Sequence, residues 1–215
     1  MCFSATASFT AGAVITAIGV ASELKVRKKS QRLFAAVPLI FGLQQIAEGF
    51  VWVSLQRPDQ LLMQYISTYV FLITADVLWP VMVAASCLLM EENPGKRKIL
   101  KILLAAGAAL SLYYAFCLLS FAVTPEILNC HINYAGEFPH VLVIPAFLVY
   151  LVVTITPFFV SGVKGMPWLG AVLFLACVVS VIFYIQNLTS VWCFFAAILS
   201  IFIYLLISRE KQKGS

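Results

Sequence analysis

Residues 38–52 read PLIFGLQQIAEGFVW, an apolar run broken only by Gln44, Gln45 and Glu48. The run belongs to a segment apolar enough to cross a bilayer, and a carboxylate there needs a reason. Placing an ionisable group at mid-membrane costs at least ~2.5–3.5 kcal/mol, so such residues face a cavity or a partner rather than lipid. Gln44 and Glu48 stand four apart, and Gln45 and Glu48 three apart. On a helix all three therefore share one face, with Trp52 one turn further on.

The rest of the chain agrees with a membrane setting. Of 215 residues, 62% are hydrophobic and 11% charged, which moves the chain out of the soluble class. The net charge of +5 does not signal nucleic acid, because the basic residues fall in short clusters between apolar runs. Residues 1–10 carry no basic segment of the kind that opens a secretory signal, so the first apolar run is expected to remain as a helix.

Seven apolar runs lie near residues 7–23, 33–55, 64–90, 99–122, 140–161, 166–186 and 189–208, each close to the ~20 residues a spanning helix requires. The expected fold is an all-α integral membrane protein of seven transmembrane helices, a single bundle over residues 1–208 with a basic tail at 209–215. Basic residues cluster at 25–32, 96–101, 164 and 209–213, all on one side, while the other side keeps only Arg57. That asymmetry predicts an outside N-terminus and a cytoplasmic C-terminus.

Two acids lie well inside the runs. Besides Glu48 there is Asp76, one turn before Pro80 in the third run, where Trp79-Pro80 is expected to break the helical hydrogen-bond ladder. Tyr65, Tyr69 and Asp76 can share a face, and a short loop joins the second and third helices. A polar cavity between those two is therefore expected. Cys177, Ser180, Tyr184 and Asn187 step along the sixth helix, with Ser190 and Cys193 opening the seventh. Small and hydroxylated residues in that pattern read first as helix-packing contacts.

The longest piece outside the runs is the outer loop at 122–140, AVTPEILNCHINYAGEFPH, which holds both histidines, His131 and His140, beside Cys130. Two readings stand side by side. In one, His131 and His140 with Cys2 or Cys193 hold a divalent metal such as zinc, whose usual ligands are His, Cys and carboxylate. In the other, Cys130 pairs with Cys2 or Cys193 in a disulfide that pins the loop over the bundle. Spacing does not decide the connectivity.

The opening MCFSATASF, the pattern Pro38–Gly42–Gln45–Glu48–Gly49–Trp52, the triplet Cys130-His131-Ile132 and the run Val191-Trp192-Cys193-Phe194-Phe195 resemble a family of small bacterial multi-pass membrane proteins that begin Met-Cys-Phe-Ser-Ala and have no assigned activity. The resemblance implies a bacterial inner-membrane protein. It also implies that Cys2, Glu48, His131 and Cys193 belong to shared motifs, and it supplies no reaction.

Three functions fit these residues. The first is an outward-facing polar pocket around Glu48 and the His131/His140 loop, metal-dependent or working by acid/base chemistry on a small or lipid-soluble molecule. In that reading Glu48 and Asp76 are the candidate catalytic groups. Gln44, Gln45, Trp52, Tyr69, Tyr184 and Trp192 line the pocket, since binding sites combine apolar walls with a few convergent polar groups. The second is a small-solute or proton-coupled transporter of three-plus-one-plus-three plan, although the acids have no counterpart in the sixth helix. The third is a non-catalytic sensor or assembly factor. The expected partners are the lipid bilayer and an unidentified small molecule. The HExxH and GxSxG signatures are absent, and so is a lysine inside the seventh helix that could carry a retinal Schiff base.

Overall fold

A computed structural model describes residues 4–57, 59–128 and 130–209. In chain order the elements are α1 (Ala5–Lys25), a 3-10 turn (Lys29–Gln31), α2 (Arg32–Ala35), α3 (Val37–Leu55), α4 (Leu61–Leu72), a π-helical segment (Ile73–Leu78), α5 (Trp79–Met90) and α6 (Pro94–Ser120). Strands β1 (Val123–Leu128) and β2 (His131–Gly136) follow. The chain then continues through α7 (His140–Val160), α8 (Met166–Tyr184), a 3-10 turn (Ile185–Asn187), α9 (Leu188–Leu199) and α10 (Ile201–Arg209).

Among the described residues, six helices are long and apolar enough to cross a membrane. The last of them is the stretch Met166–Ser208, 43 residues long. The turn at Ile185–Asn187 folds it into two limbs. Gly165, at φ +92 ahead of α8, lies so close to Leu206 of α10 that any side chain there would overlap it. The start of α8 therefore meets the far end of α10.

The exterior is apolar. Leu119, Val141 and Leu24 are 89%, 86% and 81% exposed, while Gln44, Gln45 and Glu48 are 1%, 0% and 2% exposed. Polar inside and apolar outside is the arrangement a bilayer imposes, because lipid competes for no hydrogen bonds.

Helix α3 is held between α1 on one side and α4 and α9 on the other. Gly42 makes the α1 contact intimate, since a Cβ there would run into Thr16. With its glycine face committed to α1, α3 turns Gln44 and Glu48 inward. The third run departs from α-helix where the sequence predicts a break. Pro80 has no N–H, and in the π register before it the unmatched carbonyl is that of Ala75. The Tyr150 hydroxyl of α7 donates to that oxygen at 2.6 Å, and Ser111 of α6 donates to the Val77 carbonyl at 2.6 Å. Two neighbouring helices thus satisfy the carbonyls the irregular segment turns outward.

The loop between α6 and α7 is not irregular. Its centre is an antiparallel β-hairpin with Leu128 paired to His131 and Val123 to Gly136. Cys130 takes a left-handed φ of 61, uncommon for a residue that is neither glycine nor asparagine. At the opposite, basic end of the bundle, Asn93 caps α6 by accepting from the Gly95 and Lys96 amides.

Candidate functional site

Glu48 is the centre of a polar layer inside the bundle, with Gln44, Gln45 and Ser190. The Ser190 hydroxyl of α9 donates to Glu48 Oε1 at 2.5 Å. Gln45 lies beside the same carboxyl, yet neither of its amide atoms reaches a partner in hydrogen-bonding geometry among the described residues. Gln44 accepts from Trp79 Nε1 at 2.9 Å, and its own amide nitrogen is buried without a hydrogen-bond partner among the described residues. Leaving such groups unmatched costs about 1–3 kcal/mol each, so a concentration of them at one level of a bundle is a mark of function.

The hairpin closes this layer. Tyr134 of β2 stacks on Phe71 of α4, with ring centroids 4.9 Å apart, and its buried hydroxyl has no hydrogen-bond partner among the described residues. Tyr134 packs against the buried cluster that includes Ala47, Phe71, Leu72 and Cys193. Ile132 packs on Val51 and Trp52 of α3, directly above Glu48 in the helix. The hairpin therefore reaches down to this layer through Tyr134 and Ile132.

Other expected residues fall in different places. His131 is 4% exposed, with its ring 4.8 Å from that of Tyr184. His140 begins α7 and is exposed. Strand β2 separates the two, and at ~3.3 Å per residue its length from His131 to Gly136 is about 17 Å. Among the described residues no three of His, Cys, Asp and Glu come together in a way that could hold a metal ion. Cys2 lies outside the described residues. Cys193 is a buried free thiol, so the expectation of a Cys130–Cys193 disulfide is corrected. The cause is depth: Cys193 sits within the bundle beside Ala47 and Leu72, whereas Cys130 is at the exposed hairpin tip.

Asp76 lies half-buried in the π segment, and Tyr69 is half-buried against the cluster around Phe71. The inward face of α4 is Ser67, Thr68, Phe71 and Leu72 instead of the Tyr65–Tyr69 line, because Tyr65 is 61% exposed. Glu48 thus finds its hydrogen-bond partner across the bundle, on α9. Ser190, read from the sequence as a packing residue, is that partner. Its signal was the three-residue step to Cys193, which puts both on one face of α9.

Beneath the polar layer is an apolar cavity of about 60 Å³, roughly four times what a single water requires. Trp79, Tyr150, Trp192 and Cys193 form its end nearest Glu48, and Phe34 and Ile203 its end nearest the basic loops. Phe41 stacks on Trp79 at 3.9 Å, and Trp192 meets Tyr150 edge-on at 5.5 Å.

The fold and site define a class: a helical bundle of membrane-crossing proportions with a buried Glu48 layer capped by a β-hairpin. The chain belongs to the family of unknown function DUF6629, whose model matches residues 1–215. The comparisons with curated proteins and with solved structures gave no match.

Proposed function

We propose that this is a bacterial inner-membrane protein of seven spans, with the N-terminus and hairpin outside and the basic end cytoplasmic. At its heart is an acid/base and hydrogen-bonding site centred on Glu48 that acts on a small or lipid-soluble molecule. The seven-span count is supported by the two limbs of the Met166–Ser208 stretch. The orientation is supported by the clustering of Lys and Arg at one end. The observation that carries the functional reading is the Ser190–Glu48 hydrogen bond, set beside the fully buried Gln45 amide. A carboxyl with spare acceptor capacity, next to a donor and an acceptor already stripped of water, is prepared to bind a polar group or exchange a proton with it.

Labelling with a lipid-soluble carbodiimide tests this, because such reagents modify carboxyls that take up a proton in apolar surroundings. Peptide mass mapping is expected to find the adduct on Glu48 and to lose it in Glu48→Gln. Labelling that spares Glu48, or is unchanged by the substitution, overturns the reading.

A further inference from the structure

We propose a second site, at the basic end of the bundle: a cleft that holds the headgroup of an anionic phospholipid, its phosphate at Lys28 and Lys164. The proposal takes its bilayer placement from the reading above and is independent of Glu48. The cleft lies between the α1–α2 connection, the α5–α6 turn, the α7–α8 turn and α10, and its volume is about 590 Å³. Sites that take small ligands span ~300–1,000 Å³. Lys28, Ser30 and Lys164 give it polar surface, and Leu89, Met90 and Leu206 give it an apolar floor. A head and the start of a chain need both.

Topology alone gathers lysine and arginine at this end, so what matters is which of them the fold leaves uncommitted. Arg97 donates to the Leu88 and Glu91 carbonyls at 3.0 and 2.7 Å, Lys96 lies beside the Glu91 carboxylate, and Arg32 pairs with Glu23 at 3.6 Å. Among the described residues neither Lys28 nor Lys164 forms an ion pair, and both line the cleft. The acids there do not cancel them. Glu91 is saturated by the Glu92, Asn93 and Gly162 amides, while Glu92 is exposed. Two free lysines against one exposed carboxylate leave a single positive charge, the complement of a phosphodiester.

The walls are set without a ligand. The Lys28 amide donates to Gln31 Oε1 at 3.4 Å and the Gln31 amide to the Lys28 carbonyl at 2.9 Å, which closes the turn that carries Ser30. The turn that carries Lys164 is pinned on one side by the Gly162 amide on Glu91. On its other side Gly165 meets Leu206 too closely to admit a side chain. A cleft already formed loses little ordering entropy on binding. Its floor also reaches the exterior, because Leu89, on the last turn of α5, is 51% exposed. That gives an acyl chain an apolar way out, of which a soluble anion would make no use. Basic pockets between membrane helices on the cytoplasmic side recognise anionic heads in this manner.

Native mass spectrometry of the full-length protein, released from micelles to which phosphatidylglycerol or phosphatidylcholine has been added, tests this. Phosphatidylglycerol is expected to bind in preference to phosphatidylcholine, which has the same phosphate but no net charge. Its affinity should fall about fivefold in Lys28→Gln or Lys164→Gln and about twenty-fivefold in the pair, the loss expected for one membrane-surface lysine each time. Lys164→Arg should keep it. Lys25→Gln with Lys101→Gln removes the same charge from exposed positions outside the cleft and should leave binding nearly unchanged. Phosphatidylcholine bound as tightly, or a loss as large in that control pair, overturns the proposal. Inorganic phosphate that displaces the lipid with the same dependence on Lys28 and Lys164 makes the cleft a soluble-anion site and also overturns it. Carbodiimide labelling of Glu48 is expected in all of these variants, so the failure of one reading is distinguishable from failure of the other.

Discussion

Glu91 and Glu48 are both buried carboxyls, 6% and 2% exposed, placed toward opposite ends of the bundle. Glu91 is fully used. Its Oε1 accepts from the Glu92 and Asn93 amides at 3.1 and 2.9 Å, and its Oε2 from the Gly162 amide at 2.5 Å, tying the α5–α6 turn to the α7–α8 turn. Burial pushes the Glu91 carboxyl up, but the Asn93 and Gly162 amides and the Lys96 ammonium outweigh it and hold it below the usual glutamate value. Glu48 accepts from one hydroxyl, that of Ser190, and has the buried Gln45 amide beside it, with no backbone donor among the described residues. An acid that serves the fold is saturated by backbone; an acid left with spare capacity is available to something else.

Breaking the saturated acid is expected to have the largest effect on stability. Glu91→Ala strands three amide donors, and at about 1–3 kcal/mol for each buried unsatisfied group it should cost about 3 kcal/mol or more. Thermal unfolding in micelles, followed by tryptophan fluorescence, measures it. Acid should act on the same joint. Because the folded value of Glu91 is depressed, its contribution is present above the unfolded value and lost as pH falls through the folded one. Unfolding temperature should therefore drop on acidification in the wild type, and less steeply in Glu91→Gln.

Tyr150→Phe should come next, at about 1–3 kcal/mol, because it removes the donor that matches the Ala75 carbonyl beside Pro80. Replacing the under-used acid should cost least. Glu48→Gln keeps an acceptor for Ser190 and should shift stability by less than about 1.5 kcal/mol while removing carbodiimide labelling. A Glu48→Gln variant as unstable as Glu91→Ala would erase the distinction between the two acids.

Much of the helical plan was legible because lipid allows few alternatives: apolar runs of spanning length must bond their own backbones. The break near Pro80 was legible for the same reason, a missing N–H. Glu48 stood out because a carboxyl inside an apolar run is costly. Its partner did not stand out. Which helix lies opposite α3 is fixed by packing, and the contact of Gly42 with α1 turns Glu48 towards Ser190 on α9, more than a hundred residues along the chain. The hairpin was hidden because Val123–Leu128 and His131–Gly136 are short strands, Pro125 interrupts the first, and no Asn-Gly or Asp-Gly marks the turn. Tyr134 was missed along with it, since only the strand pairing brings its ring down onto Phe71.

Infrared difference spectroscopy on pH change, comparing the wild type with Glu48→Gln and Ser190→Ala, tests most directly the claim that Glu48 is a working acid rather than a structural one. A carboxyl carbonyl band that responds to pH should vanish in Glu48→Gln and move to higher frequency in Ser190→Ala, where its hydrogen-bond donor is gone. Difference spectra that superimpose for all three proteins would contradict it.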